Sequence, residues 1–297
     1  MKKKLFVGFA FAIIISGLIF ICITINPLFN IFSSSGILDK ELSIAYGTLI
    51  GGLFGPILSL LSFFLVFITF KEQKKFNEHQ ILKGINDNFI NSIERDIQYL
   101  RNYVSSIKYR NPELLNPTKD LITGEEYFIK AVKQLNCLNK MILPTKIFND
   151  ERNRIGAIFE IFFYGVGLDT EDTLKYYLNK RTSNENTELL IKKIREEKTK
   201  YNSNIVCYGG HQGRLGHYFR QLYGIIDKIN KTGLSIDKTA IMNNINLKMS
   251  NYELAILCYY SFTFVGKNWK ENNYLGFFEA IKNIPWDILP FDLKNYF

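Results

Sequence analysis

Residues 47–70 read GTLIGGLFGPILSLLSFFLVFITF, the second half of a chain-opening pair of uncharged runs at residues 5–25 and 44–70. The twenty-one residues of the first run, as a helix rising about 1.5 Å per residue, reach roughly 30 Å, the thickness of a bilayer core. The second run is longer still. Gly47, Gly51 and Gly55 recur every four residues and share one helix face, where a second backbone can approach closely. That approach is open to the first span or to another copy of the chain. Pro56 leaves the carbonyl of Gly52 without its usual donor and predicts a kink. Neither run holds a charged residue, which argues against a transport pathway and for an anchor.

Charge sets the expected orientation. Lys2, Lys3 and Lys4 precede the first run, Lys71, Lys74 and Lys75 follow the second, and the connecting residues 26–43 hold only Asp39, Lys40 and Glu41. Lysine-rich flanks stay in the cytoplasm, so a helical hairpin with both termini inside and the loop outside is predicted. A cleaved signal peptide fits less well: the apolar region is too long, no small-x-small cleavage site follows, and a second run comes next.

Of the 37 basic and 28 acidic residues, the first seventy positions hold four Lys, one Asp and one Glu, which leaves 33 basic and 26 acidic residues beyond them. An excess of seven positive charges beside an anionic leaflet suits lipid headgroups and suits nucleic acid equally. Cys22, Cys137, Cys207 and Cys258 are far apart with no C-x-x-C pair, so neither a disulfide frame nor a zinc ribbon is indicated. His211 and His217 lie near Cys207, but no second cysteine or carboxylate completes a metal set; no metal and no cofactor are expected.

Beyond the membrane run, Leu82, Ile85, Phe89, Ile93, Ile97, Leu100, Val104 and Ile107 step by three or four residues. The three consecutive steps of four break a heptad, so this reads as a long helical stalk ending before Asn111-Pro112, its stripe packing on the following domain or on a second copy. Thr123-Gly-Glu-Glu126 and Ser250-Asn-Tyr-Glu253 have capping-box spacing, and Asn149-Asp150 opens an aromatic-rich helix. No strand alternation is sustained. The predicted fold is all-α: a transmembrane hairpin (1–70), a stalk (71–110) and a cytosolic helical domain (111–297).

The most unusual soluble segment is VCYGGHQGRLGHYFRQLYGIIDKINKTG. Leu215, Phe219, Leu222, Ile226 and Ile229 form one helix face; Arg214, His217, Gln221 and Lys228 form the other, with Arg220 at its flank. Gly210, Gly213 and Gly216 are each costly in a helix interior, about 1 kcal/mol against alanine, which implies a close approach by a helix or a ligand. Two arginines and two histidines at a glycine-rich helix start suit an anion, making His211, Arg214, His217 and Arg220 the candidate ligand residues. The competing reading is that Gly216 admits a crossing helix while these side chains bond carboxylates and carbonyls inside the domain. A complete catalytic motif is absent. The arginine–histidine spacing of small helical defence ribonucleases, four to six residues apart, is not met by Arg214 and His217.

Three stretches carry a family resemblance: YGTLIGGLFGPILSLLSFFLVFITFKEQ, GHQGRLGHYFRQLYGIIDKI and MSNYELAILCYYSFTF. The chain resembles the phage abortive infection proteins of the AbiC-like family, whose pattern G-H-x-x-R-L-x-H-Y-F-R-x-L-Y is close to the second stretch. The resemblance implies bacterial antiphage defence and implies no reaction. It carries His211, Arg214, His217, Tyr218, Phe219 and Arg220 over as motif positions, with Glu253-Leu254 in the third stretch. The expectation is a membrane-anchored sensor or effector. The alternatives are an RNA- or nucleotide-directed enzyme using His211, Arg214 and His217, and a scaffold recruiting a partner protein. Expected partners are the lipid bilayer, a second copy in a homo-oligomer, and a phage protein, nucleotide or RNA ligand.

Overall fold

The long apolar run becomes part of a single helix, α1, Lys40–Ser106, which continues through Pro56. The computed structural model describes residues 15, 17, 19, 40–110, 121–167, 169–201 and 210–291. The predicted first span and its loop lie outside these apart from Ile15, Gly17 and Ile19, all helical, and Lys40 to Ser43 at the start of α1. The chain divides into two compact units, Met1–Gly84 and Ile85–Phe297.

In the first unit the stretch of α1 from residue 44 to residue 70 carries no charge, and most of its described side chains are exposed. Leu60, Phe63, Val66 and Phe70 are each 60% exposed or more. An apolar helix face of this extent is ordinarily buried in a water-soluble protein, and here it is not. By length and composition it is the one described helix able to cross a membrane. Thr48 and Thr69 donate their hydroxyls to the carbonyls of Ile44 and Leu65 one turn back, which removes polar groups from the apolar surface. No described atom comes within 4 Å of a Cβ built on Gly47, Gly51 or Gly55.

In the second unit α1 changes character. Ile93, Ile97, Leu100, Val104 and Ile107 are buried in the domain core, as the three-and-four spacing predicts. The helix ends at Ser106, and the chain then forms a short antiparallel ladder, β1 (Lys108–Arg110) on β2 (Leu121–Thr123). This two-stranded element corrects the expectation of helix up to Asn111. It also corrects the Thr123 cap: Thr123 is tied into β2, and Gly124, at φ +58°, starts the next helix with no side-chain cap. The Gly124 N–H donates to the carbonyl of Ile107, so strand pairing outranks the local capping signal.

The remaining helices are α2 (Glu125–Ile142), α3 (Glu151–Tyr164), α4 (Glu171–Leu178), α5 (Asn184–Tyr201), α6 (Gln212–Lys231), α7 (Lys238–Leu247), α8 (Asn251–Ser261) and α9 (Lys267–Glu271). Every residue of α3 from 155 to 164 and of α8 from 253 to 261 is buried, so these two form the centre. α2 packs on both, and α4 and α6 pack on α3. Asp150 caps α3 by accepting from the Arg152 N–H, and Ser250 with Glu253 forms both bonds of the predicted capping box on α8. Inside, Arg181 grips Glu160 through two 2.8 Å bonds and gives a third to the Phe262 carbonyl. Gly156 is required there, because a Cβ would run into the Arg181 guanidinium.

Candidate functional site

The Gly210-His211 pair turns the chain into α6. Gly210 sits at φ +66°, where L side chains are strained, and a Cβ would collide with the carbonyls of Phe163 and Tyr164. This packing lets the His211 N–H donate to the Phe163 carbonyl at 2.8 Å and delivers the imidazole into the core.

His211 is 1% exposed. Its ring stacks on Phe162 with centroids 4.0 Å apart and planes 19° apart. Nε2 lies 2.8 Å from Oε1 of Gln134, and Nδ1 lies 2.8 Å from the Tyr127 hydroxyl. Gln134 donates its own amide to the Tyr109 hydroxyl at 3.0 Å, which orients its oxygen toward the histidine. The network therefore assigns the proton to Nε2 and leaves Nδ1 to accept from Tyr127. Burial, aided by the nearby Arg214 charge, pushes the imidazole pKa down to about 3. His211 is a neutral core histidine, separated from the surface that its motif neighbours form.

Those neighbours face outward. Arg214 donates from Nε to the Lys108 carbonyl at 2.9 Å, and its guanidinium lies 5.4 Å from the centroid of the Tyr109 ring. Its own carbonyl accepts from the Tyr103 hydroxyl at 2.7 Å. His217 packs edge-on against Tyr103, 4.6 Å between centroids, and Nε2 accepts from the Gln221 amide at 2.8 Å. The carboxamide oxygen of Gln221 is buried without a hydrogen-bond partner among the described residues. Arg220 is exposed. Among the described residues neither arginine makes an ion pair, and no three His, Cys, Asp or Glu side chains converge to hold a metal.

The glycines resolve unequally. Gly210 has a packing reason; Gly213 has open space around its Cβ position, and Gly216 meets only the Phe163 ring at an ordinary 3.8 Å. Phe163 belongs to α3, so the neighbour at Gly216 is a packed helix, met through a side chain rather than through its backbone.

Two motif residues carried by resemblance belong to a different cluster. Tyr218 and Phe219 are buried. The Tyr218 hydroxyl donates to Glu253 at 3.1 Å, and Glu253 also receives both terminal nitrogens of Arg101, from α1. Arg101 donates further to the Lys248 carbonyl at 2.8 Å. Burial, then the Glu253 charge, pushes the Tyr218 phenol up. Arg101, Tyr103, Tyr127 and Gln134 were invisible as partners in the sequence. Only their places beside the apolar stripes of α1 and α2 hinted that they face the domain.

Residues 210–288 match the family model described as "Putative phage abortive infection protein". The match begins at the positive-φ glycine, takes in both the Arg214–Arg220 surface and the Glu253 cluster, and names the family that the GHQGRLGHYFRQLY stretch resembles. No curated protein and no solved structure matches the chain.

Proposed function

We propose that the chain is a membrane-anchored bacterial antiphage protein of the abortive-infection type, whose cytosolic helical domain senses or acts on a component of infection. The observation that carries the defence role is the match over residues 210–288. The exposed apolar side chains of α1 between Ile57 and Phe70 support the anchor. In this reading residues 5–25 and 44–70 form a hairpin with both termini in the cytoplasm, and the open face of Gly47, Gly51 and Gly55 serves helix–helix association.

The contact surface is Arg214, His217 and Arg220. The geometry favours a binding role over catalysis. His211 has both ring nitrogens engaged and is neutral, and His217 has a carboxamide rather than a carboxylate on its ring nitrogen. An enzyme would therefore have to work through His217 alone.

The test is phage plating on cells expressing the full chain, with protein levels checked. Loss of protection in an Arg214→Ala, Arg220→Ala double variant, and retained protection when the spans are exchanged for an unrelated hairpin, is the expected pattern. Protection that survives the arginine changes, is lost on span exchange and coincides with membrane depolarisation would move the action to the bilayer. No protection by the wild-type chain would refute the defence role.

A further inference from the structure

The last turn of α1 and the strand after it grip the start of α6 at several atoms. Tyr103 spans two motif residues that stand three apart, and are therefore neighbours, on α6. Its hydroxyl donates to the Arg214 carbonyl at 2.7 Å, and its ring meets that of His217 edge-on at 4.6 Å. A carbonyl inside a helix keeps a second lone pair beyond its own N–H partner, and Tyr103 takes it. Burial, only partly offset by the Arg214 and Arg220 charges, raises the phenol above its ordinary pKa. The hydroxyl is therefore a donor at neutral pH.

The chain just beyond holds the Arg214 side chain as well. The Gly124 N–H donates to the Ile107 carbonyl, which makes these two residues a hydrogen-bonded pair continuing the ladder register. Bonded and unbonded pairs alternate in an antiparallel ladder, so the Lys108 carbonyl turns away from β2. Arg214 fills that carbonyl from Nε at 2.9 Å, and its guanidinium carbon lies 5.4 Å from the Tyr109 centroid. Nε is thereby spent. The terminal nitrogens have no partner among the described residues and are left for a ligand. His217 is held besides by Gln221, one turn along its own helix. Arg220 makes no hydrogen bond to α1 among the described residues.

α1 is fastened to the domain elsewhere. The apolar stripe from Ile93 to Val104, the Arg101–Glu253 pair, Lys228 on Asp96 at 2.7 Å and the Asn86 amide on the Ser235 carbonyl all serve that purpose. Tyr103 stands apart from these, with its polar atom on the motif rather than on a core group.

We infer that Tyr103 is the positioning residue of this surface, its hydroxyl and ring together fixing the direction in which Arg214 and His217 meet a ligand. The inference rests on the reading of Arg214, His217 and Arg220 as the domain's contact surface and adds what controls two of the three. The control is reciprocal: a shift of α1 against α6 disturbs both side chains, and a ligand that draws on them pulls on α1. Phenylalanine at this position keeps the ring against His217 and loses the hold on Arg214. Leucine loses both.

The experiment uses the full-length protein in detergent micelles, isotope-labelled at histidine Cε1 and arginine Nε and read by NMR. The chain has three histidines, His79, His211 and His217, and the His217 signal is the one that vanishes in His217→Gln. Arg214→Lys assigns the Arg214 Nε–H in the same way. Tyr103→Leu is expected to shift the His217 signal and to speed solvent exchange of the Arg214 Nε–H. Tyr103→Phe should speed the exchange while leaving His217 near its wild-type place. The His211 signal should stay put in both, because Tyr127 and Gln134 hold that ring. Asp96→Ala, which removes a different contact between α1 and α6, should move neither motif signal. Thermal melting of both Tyr103 variants should stay close to wild type, which a purely structural role would not allow.

Unmoved His217 and Arg214 signals in Tyr103→Leu overturn the proposal. So do shifts matched at His211 and accompanied by a large fall in melting temperature, which would make Tyr103 a general core residue. If Tyr103→Leu does not fold, the Arg214 exchange rate in Tyr103→Phe decides alone. Phage plating keeps this separate from the contact-surface reading. Protection should be lost in Tyr103→Leu and partly kept in Tyr103→Phe. Full protection by Tyr103→Leu, with loss in the Arg214→Ala, Arg220→Ala variant, overturns only the positioning role. Full protection by the arginine variant, with the motif signals shifted in Tyr103→Leu, overturns only the contact surface.

Discussion

His211 shows how a side chain that looks chemically available is spent on packing. Two neutral hydrogen bonds and a face-to-face stack on Phe162 hold it in a buried site where an added charge would be costly. The linkage follows from the direction of its shift. The folded imidazole titrates near 3 and the unfolded one near its ordinary value of 6.5. Between those values the unfolded chain binds the extra proton, so this contribution is complete above pH 6.5 and is lost as pH falls toward 3. Denaturant unfolding of the full chain at several pH values should therefore show a loss of stability on acidification that is reduced in His211→Asn. At neutral pH, His211→Ala should cost about 2–4 kcal/mol, because it removes the Tyr127 and Gln134 hydrogen bonds to the ring and opens a cavity against Phe162. If acid sensitivity were identical in wild type and His211→Asn, this account of the residue would fail.

Helix α1 spans two kinds of surroundings, and its side chains change accordingly. Before residue 71 they are apolar and exposed; from Ile93 onward they are buried on one face. The second part is fastened by more than apolar burial. Arg101 reaches Glu253, itself buried, which also takes the Tyr218 hydroxyl and completes the cap of α8 through the Ser250 N–H at 2.9 Å. One carboxylate thus joins α1, α6 and α8. Removing Arg101 would leave a buried charge with a single phenol and a cap for company, so Arg101→Ala should destabilise by about 3 kcal/mol. Glu253→Gln keeps the shape and loses the charge, and a double-mutant cycle between the two positions should return a coupling energy of about 1–3 kcal/mol by urea denaturation. A coupling near zero would mean the pair is incidental to how α1 is held.

For the protein in its cell, the exposed apolar surface of α1 makes a direct prediction about location. Leu60→Arg with Phe64→Arg would place two charges in the proposed hydrocarbon core at about 2.5–3.5 kcal/mol each. The double variant should shift from the carbonate-resistant membrane pellet to the soluble or degraded fraction, while Tyr176→Ala should not. Reporter fusions at both termini, active only in the cytoplasm, would test the hairpin; an external N-terminus would replace it with a single crossing.

What could be read along the chain were features set by near neighbours. The apolar run, the stripes of α1 and α6, the Asp150 cap and the Ser250–Glu253 box depend on residues two to four apart, whose relation is dictated by helical geometry. Thr123 marks where that reasoning stops, since an equally good capping pattern yielded to strand pairing with β1. The direction of His211, the Arg101–Glu253 pair across 152 positions and the stack of Phe219 on Tyr260 between α6 and α8 depend on which helices touch. No periodicity encodes those contacts. They follow from how the buried α3 and α8 are surrounded, and that packing alone separates a core histidine from the half-buried arginine three residues along the same motif.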